Sequence, residues 1–173
     1  MARCACGQVE LALKARPFLS AVCYCDDCQA AGRTIGRLEG THTPLEADRG
    51  TAYVLVRKDR VSVQRGADRL AEFRLAPSSP TRRVIATCCN TPMFLDVAPA
   101  HWVTVYRDRL APEDRPAIEM RVMTRHRASA LPYPDAASRH AGHTGRFFLK
   151  VLGAWISMGF RRPRLAPYPH ISL

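Results

Sequence analysis

Seven cysteines carry the chemistry this sequence offers: Cys4 and Cys6, then Cys23, Cys25 and Cys28, then Cys88 and Cys89. Metal sites draw pairs of sulfurs from short turns, whereas a disulfide framework spreads its cysteines along the chain. The patterns C-x-C, C-x-C-x-x-C and C-C fit the first description, and an odd total suits pairing badly. Thiolates select tetrahedral zinc or iron–sulfur centres. Seven sulfurs are enough for one four-coordinate and one three-coordinate site, so two zinc ions are expected, with all seven cysteines as ligands. Gly7 follows Cys6 and Asn90 follows Cys89; glycine and asparagine are the residues that most readily turn the backbone back around a metal. Asp26 and Asp27, inside the C-x-x-C, read as caps of that turn. His140 and His143 lie in a Pro-rich stretch and read as solvated rather than as ligands.

The elements that position these thiols are mostly β. Val9, Leu11 and Leu13 alternate with polar residues, a strand directly after the first cysteine pair. Leu19 to Tyr24 is a second strand leading into the trio, and Gln29 to Gly32 reads as a single helical turn. Residues 33–50 hold Gly36, Gly40, Pro44 and Gly50 and read as a long loop. Thr51 to Val56, Val61 to Arg65 and Arg69 to Leu75 follow as strands, separated by turns at Lys58-Asp59 and Gly66-Ala67-Asp68. Arg82 to Thr87 is a strand ending at the last cysteine pair. Met93 to Val97, His101 to Tyr106 and Ile118 to Met123 continue the pattern. No long helices separate these strands, which excludes a doubly wound α/β sheet and favours small antiparallel sheets.

Residues 1–125 therefore read as one zinc-binding β domain, and 126–173 as a loop and helix packed on it. Residues 126–145 are the loop. Arg146 to Gly159 is the helix, with Phe148, Leu152, Trp155 and Ile156 on one face and Lys150, Gly153 and Ser157 on another. Two readings of the apolar face stay open: it packs against the sheet, or it lies in a membrane interface.

Composition limits the partners. At 173 residues, 47% hydrophobic and 24% charged, the chain is ordinary for a soluble globular protein. It has no signal-peptide pattern at its start and no run near the roughly 18 apolar residues of a membrane span. A cytoplasmic protein with reduced thiols is expected. The formal net charge of +11 invites a nucleic-acid partner. Against it, the positive charges are scattered, and seven thiolates on two zinc ions would remove about three of them. Nucleic-acid binding is not expected.

Cys4-Ala-Cys6-Gly7-Gln-Val9, Cys23-Tyr-Cys25-Asp-Asp-Cys28-Gln29 and Cys89-Asn-Thr-Pro-Met93 together resemble the glutathione-dependent formaldehyde-activating enzyme family, which shares a domain with centromere protein V and has the β-rich Mss4-like fold. The resemblance covers residues 2 to about 110, and Cys88-Cys89-Asn90-Thr91-Pro92 is similar to a bacterial branch of the superfamily. It implies a structural zinc on Cys4, Cys6 and Cys89, and a second zinc with an open position on Cys23, Cys25 and Cys28. It also implies a small thiol such as glutathione as partner, and zinc-dependent carbon–sulfur lyase chemistry on a thiol adduct. The other reading is a non-catalytic zinc-stabilised binding module. The family pattern is broken in three places: its first cysteine of the later pair falls on Ala86, its histidine within the trio on Tyr24, and its glycine after Cys89 on Asn90. Cys88 either replaces the missing ligand, if the chain turns sharply there, or completes the trio's site and closes it.

Overall fold

The computed structural model describes residues 1–173. The chain folds in the order β1 (Ala2–Arg3), β2 (Glu10–Leu13), β3 (Leu19–Cys23), α1 (Asp26–Ile35), β4 (Thr51–Arg57), β5 (Val61–Arg65), β6 (Leu70–Phe73), β7 (Thr81–Ala86), β8 (Thr91–Val97), β9 (Trp102–Tyr106), β10 (Met120–Val122), β11 (Ser138–Arg139) and α2 (Gly145–Ile156). A small antiparallel sheet has the order β1-β2-β5; the larger sheet runs β11-β10-β3-β4-β9-β8-β7-β6. The larger sheet is antiparallel except at one edge, where β10 pairs parallel with both β3 and β11. The protein is thus β-dominant with a C-terminal helix.

Alternation along the strands divides the interior in two. On β4, Val54 and Val56 face one core with Leu11, Val84, Phe94, Val103 and Val105, beneath the small sheet. Tyr53 and Leu55 point the other way, into a core with Leu19, Ile35, Ile85, Tyr106 and Met120. The period of two in a strand gives this separation directly. The cysteines divide along the same line. Cys4, Cys88 and Cys89 belong to the first core, and Cys23, Cys25 and Cys28 to the second.

Three features depart from the sequence expectation. The single helical turn at Gln29–Gly32 is a ten-residue helix, α1, that begins inside the C-x-x-C motif. Asp26 and Asp27 occupy its first turn and Arg33 its last, as the helix dipole favours. Cys28, Ala31 and Ile35 form its buried stripe. Gly32 lets Leu45 close over the helix, because a Cβ there would sit 2.5 Å from the leucine side chain. Within the expected 126–145 loop, Ser138–Arg139 adds the short edge strand β11.

The third departure is the orientation of α2. Of the four residues on its apolar face, which the sequence left open between the sheet and a membrane interface, Phe148, Leu152 and Ile156 point to solvent, and only Trp155 turns inward to stack on His101. The polar side docks instead. Lys150 Nζ donates to the Phe18 carbonyl at 3.3 Å and pairs with Glu119, and Arg57 reaches Ser157 Oγ at 2.8 Å. Ala154 and Met158 are buried between these anchors. The sheet offers α2 a carboxylate and carbonyls, so the helix turns its hydrogen-bonding side towards them.

The chain then returns along the far edge of the sheet. Glu72 on β6 exchanges backbone hydrogen bonds with Pro169 (2.8 Å) and Ile171 (2.9 Å). Arg82 ties the same segment down through the carbonyls of Leu165 and Ala166 while pairing with Glu72 and Asp96. The otherwise open edge strand is thereby covered.

Candidate metal centres

The first cluster joins two turns 84 residues apart in sequence. After β1 the chain folds back on itself: Gly7 N–H donates to the Cys4 carbonyl at 3.0 Å, with Gly7 at φ 74°. Val9 N–H donates to Cys4 Sγ at 3.2 Å. The second turn links β7 to β8. Cys89 N–H donates to the Ala86 carbonyl, and Asn90 takes the left-handed conformation at φ 50°. That sharp turn resolves the place of Cys88, since neighbouring side chains in extended chain would point apart. Cys88 Sγ lies 3.4 Å from Cys6 Sγ and 3.9 Å from both Cys4 Sγ and Cys89 Sγ; Cys4 and Cys6 are 3.5 Å apart. Cys88 thus joins Cys4, Cys6 and Cys89, and not the trio. Ala86, where the family carries a cysteine, is buried in the core.

These separations test whether a metal fits. Zinc with Zn–S bonds of about 2.3 Å at the centre of a tetrahedron sets its sulfurs about 3.8 Å apart. The quartet's spacing matches, and all four sulfurs lie within 4.8 Å of one another. Without a metal, thiols this close cannot all ionise. Although burial opposes it, Thr91 Oγ1 and the Cys6 backbone and side chain bring Cys89 down to about 6; burial and the Cys6 sulfur push Cys88 up.

The second cluster gathers Cys23 from the end of β3 with Cys25 and Cys28, which bracket the start of α1. Its three sulfurs also lie within 4.8 Å of one another. Cys25 is the N-cap residue of α1, so its sulfur stands at the positive end of the helix dipole. Hydrogen bonds from Cys23 and Cys28, the Cys28 backbone N–H and the charge of Arg83 together pull the Cys25 thiol down to about 2. Hydrogen bonding to Cys25 pushes Cys23 up, and Cys28 is raised to about 12. Tyr53, on the neighbouring strand, reaches Cys28 Sγ at 3.6 Å.

Sequence reasoning missed Arg83. It is 2% exposed, and only Nη2 has a protein partner, the Asp27 carbonyl at 3.3 Å. Nε and Nη1 are buried with none. A charged residue at the inward position before Ile85 on β7 was the available signal. His143 was discounted as a loop residue, yet it lies close enough to Cys25 for the thiolate to counter the lowering that burial imposes on its pKa. His140 pairs instead with Ser138 Oγ at 3.0 Å. Asp26 is bound to His126 at 3.0 Å. Tyr24, in the family's histidine position, points away from the sulfurs into a polar cluster, where its hydroxyl donates to Asp48 at 2.6 Å beside Arg121.

A β-dominant fold with one four-thiol and one three-thiol cluster on opposite faces of its main sheet defines a class of small thiolate proteins. The model for the glutathione-dependent formaldehyde-activating enzyme matches residues 1–123, and the chain belongs to that family, within the Mss4-like superfamily. A crystal structure of a Rhodobacter sphaeroides protein, a structural-genomics target, is similar over 68% of this chain and 95% of that chain, at 18% identity and a TM-score of 0.44. No curated protein matches the chain. No helix is long and apolar enough to cross a membrane.

Proposed function

We propose that the chain holds two zinc ions on its seven cysteines: a structural one in the quartet and a second in the trio. The second handles a small thiol such as glutathione, making or breaking the carbon–sulfur bond of an aldehyde adduct. The asymmetry of the clusters carries this reading. Four sulfurs complete a tetrahedron, whereas three leave a position for an outside ligand. When bound, zinc would supply Lewis acidity and favour the ionised form of an incoming thiol. The chain's own residues prepare the site. The start of α1 and the Cys28 N–H stabilise charge on Cys25. Three thiolates and one divalent ion sum to a single negative charge, which the buried Arg83 balances. In the bond-forming direction, sulfur adds to the aldehyde carbon and the thiol's proton ends on the former carbonyl oxygen; the lyase direction is the reverse.

A non-catalytic, zinc-stabilised module is the second reading. The packing of Met123 and Phe147 in the same apolar cluster as the trio favours it. Single Cys→Ser variants separate the two. Structural zinc contributes on the order of 10–16 kcal/mol in small metal domains, comparable to the ~5–15 kcal/mol stability of a whole domain. Serine at Cys4, Cys6, Cys88 or Cys89 should leave little folded protein. Serine at Cys25 or Cys28 should give folded protein with one zinc and no thiol-adduct activity. Soluble yield, circular dichroism and zinc content measure this. Equal collapse at both clusters would replace the enzyme with the module.

A further inference from the structure

We propose that the exposed face of α2 is a docking surface for an anionic phospholipid bilayer, on which the protein rests without crossing it. Phe148 is 59% exposed, Leu149 70%, Leu152 44% and Ile156 53%, and Phe160 just beyond the helix is 59% exposed. These are five of the eight large apolar residues exposed anywhere on the chain. Positions 148, 149, 152 and 156 form one stripe at the helical repeat. A hydrophobic stripe this continuous marks an interaction site rather than ordinary surface. The chain's own core does not cover it, because α2 docks through Lys150, Ala154, Trp155 and Ser157 on its other side.

Charge identifies the occupant. After Asp135 the sequence contains no acidic residue, while Arg139, Arg146, Lys150, Arg161, Arg162 and Arg164 follow. The nearby carboxylate of Glu119 is taken up by Lys150, with Arg146 at 3.6 Å. Arg161, Arg162 and Arg164 are exposed directly after the apolar stripe, with Arg162 anchored over the Trp155 ring at 4.6 Å. A short helix with aromatic and aliphatic residues on one side and cations at its border suits the headgroup–acyl boundary of an anionic leaflet. A second copy of the chain would suit it poorly: a symmetric pairing across α2 sets arginines against arginines.

Co-sedimentation of the full zinc-loaded chain with vesicles tests this. Phosphatidylcholine vesicles containing a third phosphatidylserine should bind at least tenfold more protein than pure phosphatidylcholine, and half-molar salt should remove most of the difference. Leu149→Glu and the pair Arg161→Gln/Arg162→Gln should each abolish binding. All three positions are exposed, and circular dichroism should show these variants folded. Equal recovery on both vesicle types, or none on either, would overturn the proposal. So would sedimentation showing a dimer that Leu149→Glu dissolves, which would assign the face to a second copy.

Discussion

A guanidinium buried without a carboxylate, as Arg83 is, raises the electrostatic potential of everything packed around it. Beside Arg83 that means the trio. Two of its three nitrogens have no protein partner, so replacing it with methionine removes a charge and little hydrogen bonding. The fold should survive Arg83→Met, since an unbranched methionine fills much of the same space and leaves only the bond to the Asp27 carbonyl unmade. On the proposed reading, the trio's hold on zinc should weaken. One charge–charge contact at a partly buried site amounts to roughly 1–2 kcal/mol, on the order of tenfold in affinity. Chelator competition followed by zinc content should show the trio's ion weakened and the quartet's unchanged. Unaltered affinity at both would mean that Arg83 does not serve the trio. At the same scale Tyr24 shows how a family position changes employment: its hydroxyl binds Asp48 and Arg121 and ties the trio's strand to the loop at residue 48.

Helix α2 depends on His101. The buried imidazole gives Nε2–H to the Val151 carbonyl at 3.0 Å and stacks on Trp155 with the rings 11° from parallel. Burial, with Arg162 and Lys58 nearby, holds its pKa below the ordinary 6.5. The docked state therefore prefers the neutral ring, and the undocked state takes up a proton first. Docking stability is fully present above about pH 6.5 and is lost as pH falls towards the depressed value. Tryptophan emission should shift to the red between pH 7 and pH 5, and His101→Phe should abolish the shift. A shift persisting in the variant would locate the titration elsewhere. How much of this was legible follows from the forces involved. Most strand positions and the cysteine clusters could be read because alternation and cysteine spacing are local. The start of α1 could not, because Cys25, Asp26 and Asp27 carry no apolar period, and their helical signal is the dipole. Which of the two readings of α2's apolar face holds could not be settled locally, because Glu119 and Arg57, distant in sequence, decide which side docks. Cys88 could be placed only once the left-handed turn at Asn90 was known.

Across the whole molecule, the two clusters differ in what they connect. The quartet ties the strand at residue 2 to the turn after β7, and the trio closes only a few residues at the mouth of α1. Since they lie on opposite faces of one sheet, the two zincs of the proposed reading should leave separately. A strong chelator should first remove one ion with circular dichroism unchanged, then the other together with the fold. Loss of both ions in one unfolding step would make both structural. The quartet's span also has a consequence in time. The ribosome releases Cys4 and Cys6 about 80 residues before Cys88, an interval of several seconds at about 5–20 residues per second. The trio is complete on the nascent chain long before that. Until β7 has been made, the trio's are the only other cysteine sulfurs on the nascent chain with which Cys4 and Cys6 could share an ion on the proposed reading. The last two cysteines to be synthesised are thus the ones that complete the quartet.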